Sequence, residues 1–244
     1  MEISNKNIVF NITDNKINGI ICNNQTNIIK ALSMEENLSK EEKYKHKNNI
    51  IIVNDELLNY ECNTIYNLLL DTINSYKIYP KNINKKIKDS IKIVGLNEDI
   101  LGLGLNEVSS SERKLIELAI SLITNRDILV LLEPFKIIDL KNKKRIMIIL
   151  NKLVEKYHKK IVIISDDINV LFSYTEHIII IKNNKLVIEG DTSKVLTDID
   201  LLKKHHIDIP EIIEITYLAK KMKDVKIDYH KDIRDIIKDI YKHV

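Results

Sequence analysis

Two stretches of this 244-residue chain carry residue types suited to phosphate chemistry. The first is Val108-Ser109-Ser110-Ser111-Glu112, a serine-rich turn before a segment of helical apolar period formed by Leu115, Ile116, Leu118, Ala119, Leu122 and Ile123. A helix N-terminus offers unpaired N–H groups and a partial positive charge, and hydroxyls beside it add donors, so phosphate oxygens are well received there. The same residues form the pattern Ser109-x-x-Glu112, a capping box that satisfies the helix end with no ligand. Both readings stand at this level. The second stretch is the apolar run ILVLL at 128–132, which ends in Glu133-Pro134. A carboxylate at the end of a buried strand can serve as a catalytic base, or it can be a solvated strand terminus.

The elements that must position these groups follow from hydrophobic period. Strands are predicted at 8–12, 17–22, 49–53, 128–132, 161–165, 177–182 and 185–190. Helices are predicted at 63–76, 83–94, 110–124, 139–157, 167–173, 192–204, 210–222 and 230–242. Short β runs alternating with longer helical segments predict an α/β fold with helices packed on a largely parallel sheet. Asn183-Asn184 lies between two strand runs and reads as a two-residue hairpin turn, because Asn tolerates positive φ. The polar stretch 36–49 reads as a surface loop. Beyond Pro210 only amphipathic helical segments remain, which predicts a small helical appendage from about residue 205.

Composition excludes several classes. Charged residues make up 30% and hydrophobic residues 44%, as in a folded globular chain. The net charge of +3 is too small to predict a nucleic-acid partner, and the basic run KNKKR at 141–145 reads as a solvated face. Cys22 and Cys62 have no metal-like spacing and read as reduced thiols of a cytosolic protein. The longest apolar runs are strand-sized, well short of the ~20 residues of a membrane-spanning helix. Membrane association is therefore expected only through a partner.

With the helix at 110–124, the loop TNRD and the strand ending in Glu133 in register, the chain resembles the ATP-binding-cassette ATPases. Val108 to Glu112 fall on the five positions of that family's signature motif LSGGQ, and Glu133 on the catalytic carboxylate after the Walker B strand. INGIICNNQTNIIKALS at 17–33 resembles the Walker A strand, loop and helix start. YTEHIIIIKNNKLVIEG at 174–190 is similar to the family's hairpin after the switch histidine. LLKKHHIDIPEIIEITYLAKKMKDVKID at 201–228 is similar to the C-terminal segment of the energy-coupling-factor type. The resemblance implies a P-loop NTPase-like core with a helical signature lobe at about 55–125, a nucleotide-binding domain over 1–204 and a helical appendage over 205–244. It also implies ATP and Mg2+ as cofactors, a second cassette subunit as homo- or heterodimeric partner, and a transmembrane scaffold subunit that holds this cytoplasmic chain peripherally on the inner face of the cell membrane. In that family the signature loop of one subunit touches the γ-phosphate held by the other.

Departures from the family pattern fall on the residues that do its chemistry. A working P-loop uses glycines to close backbone N–H groups around phosphates, a Lys on the β and γ oxygens and a Ser or Thr on magnesium. Here the loop is CNNQTN, with Gln25 at the Lys position and Thr26 at the magnesium-ligand position. Leu132 stands at the Walker B Asp, Asp166 at the switch His, Asn54 at the Q-loop glutamine, and Ser110 and Ser111 at the signature glycines. Phosphoryl transfer is catalysed almost wholly by positioning and charge. The expectation is therefore a cassette subunit impaired in hydrolysis, with ATP binding weak or lost, which pairs with an active paralogue. A weakly active divergent transport ATPase and a non-transport binding or regulatory protein on the same fold are the alternatives. The residues expected at nucleotide contacts are Gln25, Thr26, Asn54, Ser109, Ser110, Ser111 and Glu112, with Thr26 as the metal ligand and Glu133 as the catalytic group.

Overall fold

A computed structural model describes residues 2–5, 8–32, 49–223, 228–230 and 233–242. The predicted loop at 36–49 lies outside the described residues except for Asn49. Strands β1 (Glu2–Asn5) and β2 (Ile8–Asn11) form an antiparallel pair. The main sheet comprises β3 (Ile17–Cys22), β4 (Ile50–Val53), β5 (Ile128–Leu132), β6 (Lys160–Ile164), β7 (His177–Lys182) and β8 (Lys185–Asp191). Its order is β4-β5-β6-β3-β7-β8, parallel throughout except for β8, which runs antiparallel to β7. The strands at 17–22, 128–132 and 160–164 are therefore contiguous and buried.

Side chains alternate along every parallel strand, and each parity has its own cover. Ile17, Ile51, Val53, Leu129, Leu131, Ile161, Ile163, Ile178 and Ile180 face one core. Ile20, Cys22, Ile50, Ile128, Val130, Val162, Ile164, Ile179 and Ile181 face the other, where Phe10, Ile12 and helix α1 (Gln25–Leu32) lie over them. Burial on both faces explains why β4, β5, β6 and β7 carry unbroken Ile/Val/Leu runs, whereas β3 is interrupted by Asn18 and Gly19.

The larger core takes in the remaining helical face. Helices α2 (Ile65–Ser75), α3 (Ile83–Ile93), α4 (Ser110–Thr124), α5 (Leu140–Tyr157), α6 (Ile168–Tyr174), α7 (Thr192–Thr197), α8 (Ile199–Lys204) and α9 (Glu211–Lys223) contribute to it, and α10 (Ile233–Lys242) follows. One continuous core runs from the sheet through the 65–124 helices. Helix starts coincide with side-chain caps. Thr64, Asn82, Ser109, Asp139 and Asp167 each accept a bond from an N–H in the first turn of the helix they precede.

Two expectations need correction. The single helix predicted at 192–204 is two helices, α7 and α8. Asp198 interrupts it, leaving the helical conformation to accept the Leu201 N–H at 3.0 Å as the cap of α8. Strand β1 was not expected, because Glu-Ile-Ser-Asn has no apolar run; it forms by pairing with β2. Among the described residues no helix is long and apolar enough to cross a membrane.

Candidate functional site

The C-terminal ends of β3, β5 and β6 converge because the strands are parallel neighbours. The register pairs Leu132 with Ile164, so the next residues, Glu133 and Ser165, leave the sheet side by side. The Glu133 N–H still bonds the Ile164 carbonyl at 2.9 Å. Its backbone then turns with φ of 44°, a left-handed value that few residues with a Cβ adopt, and Pro134 carries the chain away. Such local strain clusters at sites where the surroundings dictate the geometry.

The Glu133 carboxylate is held by three donors of the same chain. Ser165 Oγ donates to Oε2 at 2.8 Å, the Asp166 N–H to Oε1 at 2.8 Å, and Gln25 Nε2 to Oε1 at 3.3 Å. Gln25 is the first residue of α1, so this contact bridges the β3–α1 loop to the end of β5. Ser165 Oγ also accepts the Asp167 N–H at 3.2 Å, and Asp167 caps α6. Asp166 itself is exposed, and it contributes its backbone rather than its carboxylate to this cluster. Beneath lies Cys22, whose thiol is pushed up to about 11 by burial and by the negative charges of Asp166 and Glu133. The thiol is inert at neutral pH.

Only Asn23 and Asn24 separate β3 from α1. A phosphate-wrapping nest needs alternating right- and left-handed residues, yet none of residues 22–27 has positive φ. Asn24 Oδ1 accepts the Asn27 N–H at 3.1 Å, so part of the helix end is satisfied internally. Thr26 is exposed on the first turn of α1 and could present its hydroxyl to a metal. Asn27 Nδ2 donates to Asn184 Oδ1 at 3.2 Å, which ties α1 to the β7–β8 turn, where Asn183 and Asn184 both have positive φ as a hairpin turn requires.

The serine-rich turn forms a second cluster. Ser109 caps α4, and Glu112 Oε2 accepts from the Ser109 N–H at 2.8 Å and from its hydroxyl at 2.7 Å, while Ser109 Oγ accepts the Glu112 N–H at 3.3 Å. The capping box is thus formed in full. These bonds from Ser109 hold the Glu112 carboxyl below its ordinary range. Ser111 Oγ reaches Asp139 Oδ2 at 3.2 Å, and Ser109 and Ser110 stay exposed. Asn54 precedes a 3-10 turn at 55–57, with its side chain making no capping bond there.

Hydrogen bonds therefore bring Gln25 and Glu133 together, and separately Ser109 and Glu112, while Ser111 bonds to Asp139 instead. Thr26, Asn54 and Ser110 join neither network. Sequence reasoning missed Ser165 and Asp139. Ser165 was discernible in principle, since adjacent parallel strands of equal length must place the residues that follow them together.

No protein-family profile matches the chain. In sequence it is similar to the energy-coupling factor transporter ATP-binding protein EcfA2 of Staphylococcus aureus strain MRSA252, with 26% identity over 174 residues, 68% of this chain and 60% of that protein. The protein of the same description from strain USA300 is 25% identical over 177 residues, covering 69% and 60%. The alignment thus spans about 60% of the length of these relatives. Among solved structures, cbiO1 from Clostridium perfringens, described as part of the ABC transporter complex cbiONQ, superposes with a TM-score of 0.67 at 18% identity, covering 86% of this chain and 90% of that one. The dimeric bacterial ABC transporter cassette MJ0796 superposes with a TM-score of 0.65 at 22% identity, covering 77% and 90%.

Proposed function

From a chain that has the ATP-binding-cassette fold and is related in sequence to the ATP-binding subunits of energy-coupling-factor transporters, we propose a transporter cassette subunit whose own nucleotide site does not hydrolyse ATP. It pairs with a second, active cassette and rests on a transmembrane scaffold subunit at the cytoplasmic face of the membrane. The observation that carries this reading is the bonding of Glu133. Its carboxylate accepts from Gln25, Ser165 and the Asp166 N–H, so the group that would activate water is already engaged within the chain.

The surrounding groups support the same conclusion. Gln25 supplies a neutral amide in place of a cation, so a phosphate bound here would lack the charge–charge attraction that a Lys provides. With no left-handed residue in 22–27, the loop fits a triphosphate poorly. The subunit's contribution to the pair is Ser109 and the N–H groups at the start of α4, both on an exposed turn. A weakly active ATPase is the second reading, favoured by the exposed Thr26 hydroxyl on α1.

Calorimetric titration of the isolated chain with Mg-ATP separates the two. The first reading expects a Kd weaker than about 100 μM, that is, a binding free energy smaller than about 5.5 kcal/mol; a Kd near 1 μM overturns it. In a reconstituted pair, Ser109→Asp should lower turnover through repulsion of the γ-phosphate, with turnover retained in Glu133→Gln. The reverse pattern establishes the second reading.

A further inference from the structure

A second cluster of ionisable groups lies away from Glu133, where α4 packs on the turn that follows β4. Glu117, in the middle of α4, is 2% exposed. Lys114, one turn earlier, donates to Glu117 Oε2 at 3.1 Å and to Asp55 Oδ1 at 2.6 Å, and Asp55 begins the 3-10 turn next to Asn54. Glu117 Oε1 meets no donor. Val53, Leu118, Leu131, Pro134 and Ile146 line the same place with Lys114, around a cavity of about 10 Å3, at the lower limit of the space that one water needs.

Two carboxyl groups thus share one ammonium in a setting whose other walls are apolar. Were both ionised, the cluster would carry a net negative charge, with a buried carboxylate oxygen unmatched by any protein donor, an arrangement that low-dielectric surroundings disfavour strongly. One proton on Glu117 resolves both problems. The carboxyl becomes a donor toward the Asp55 carboxylate, and Lys114 balances the single remaining charge. Asp55 is the group to stay ionised, since it is exposed and faces Lys114, with Arg113 also favouring its charge. The end of β5 (Leu131), the end of β4 (Val53) and α5 (Ile146) present only apolar side chains here, so Asp55, Lys114 and the more distant Arg113 are the charged groups to be considered.

We propose that Glu117 is a proton-operated latch between the Asn54–Leu57 turn and helix α4, fastened when its carboxyl is protonated and donating to Asp55, and loosened when it ionises. Burial, followed by the bond to Asp55, pushes the Glu117 carboxyl up to about 7, against the opposing influence of Lys114. The sign follows directly. A folded-state value raised above the ordinary 4.5 gives stability that is complete below about 4.5 and is lost as pH rises through about 7. The latch joins the segment bearing Asn54 to the helix opened by Ser109, and it needs no nucleotide, so the isolated chain is sufficient to test it.

Titration of the intact chain with carboxyl-selective NMR should give Glu117 a midpoint near neutrality; a midpoint below about 5.5 overturns the proposal. Hydrogen exchange of the 54–58 amides, corrected for intrinsic rates, should show protection falling at least about tenfold between pH 5.5 and 8.5. Glu117→Gln keeps a neutral donor at every pH and should abolish that fall; an unchanged fall in Glu117→Gln overturns the proposal. Should that variant fail to fold, Asp55→Asn serves in its place. Removing the neighbouring charge should move the Glu117 midpoint down by at least about half a pH unit, and an unmoved midpoint counts against the latch.

Discussion

Glu133→Ala measures how far the end of β5 depends on the bonds its carboxylate accepts. Two of these bonds, from Ser165 Oγ and the Asp166 N–H, are 2.8 Å long, and the one from Gln25 is longer at 3.3 Å. Bonds to an ionised acceptor are worth about 1.5–3 kcal/mol each. Glu133 is half-buried and Asp166 exposed, so water replaces part of what is lost. Discounting the two short bonds by about half on this ground leaves a loss of about 1.5–3 kcal/mol. At about 2–4 °C per kcal/mol for a chain of this size, the melting temperature should fall by about 3–12 °C.

Glu133→Gly provides the internal control. The left-handed φ of 44° penalises any residue with a Cβ by about 1–2 kcal/mol, while glycine's extra freedom in the unfolded chain returns about 0.4–1 kcal/mol of that. Gly should therefore be better tolerated than Ala by about 0.5–1 kcal/mol. Urea unfolding with shared m-values reads both differences. Combining Glu133→Ala with Ser165→Ala should cost less than the sum of the singles by at least about 0.5 kcal/mol, since one bond is counted in both. A Glu133→Ala protein within about 0.5 kcal/mol of the parent, with additive singles, would refute the account of a carboxylate engaged by its own chain.

Ile137 also has a left-handed φ, 59°, and is 77% exposed, so Ile137→Gly loses little burial and should raise the melting temperature by about 1–3 °C; a fall would show that the side chain has a packing role. Gly19→Ala would set a Cβ 2.9 Å from both Thr175 Oγ1 and Cγ2 and 3.1 Å from Leu171 Cδ2. Thr175 is fully buried and bonded to the Leu171 carbonyl and Thr192, so it cannot yield, and a loss of about 2–3 kcal/mol is expected in chemical unfolding.

The parallel sheet was legible because both faces are covered, which makes most positions of its central strands apolar; buried Asn18 of β3 is an exception, with its amide bonded to backbone groups. The helix starts at 65, 83, 110 and 168 were legible to within two residues because Thr64, Asn82, Ser109 and Asp167 are capping types at the edges of periodic segments, whereas the last helix begins three residues later than expected, at Ile233. Strand β1 was not, for it owes its form to a partner rather than to its own residues, and the break at Asp198 was hidden because apolar period continues through it. Of the expected site residues, Gln25 and Glu133 proved to be bonded to each other. That contact joins residues far apart in the chain, and local pattern could not foresee it. Glu117 stayed unnoticed for a similar reason. It occupies an apolar stripe, and its partner Asp55 lies on another element.

The place of β3 in the sheet has a consequence for biosynthesis. It is the first strand of the main sheet in the chain, yet its neighbours on either side are β6 and β7, with Ile17 beside Ile161 and Asn18 beside His177. On a ribosome adding about 5–20 residues per second, Ile17 is added roughly 7–30 s before Ile161. Through that interval Ile-Asn-Gly-Ile-Ile-Cys has two open hydrogen-bonding edges and an apolar surface, the combination that invites pairing with other nascent chains. Any chain stopped before residue 160 leaves its first main-sheet strand without either neighbour, so premature termination should yield aggregates instead of a smaller folded unit, and holdase chaperones should be found on the N-terminal half during synthesis.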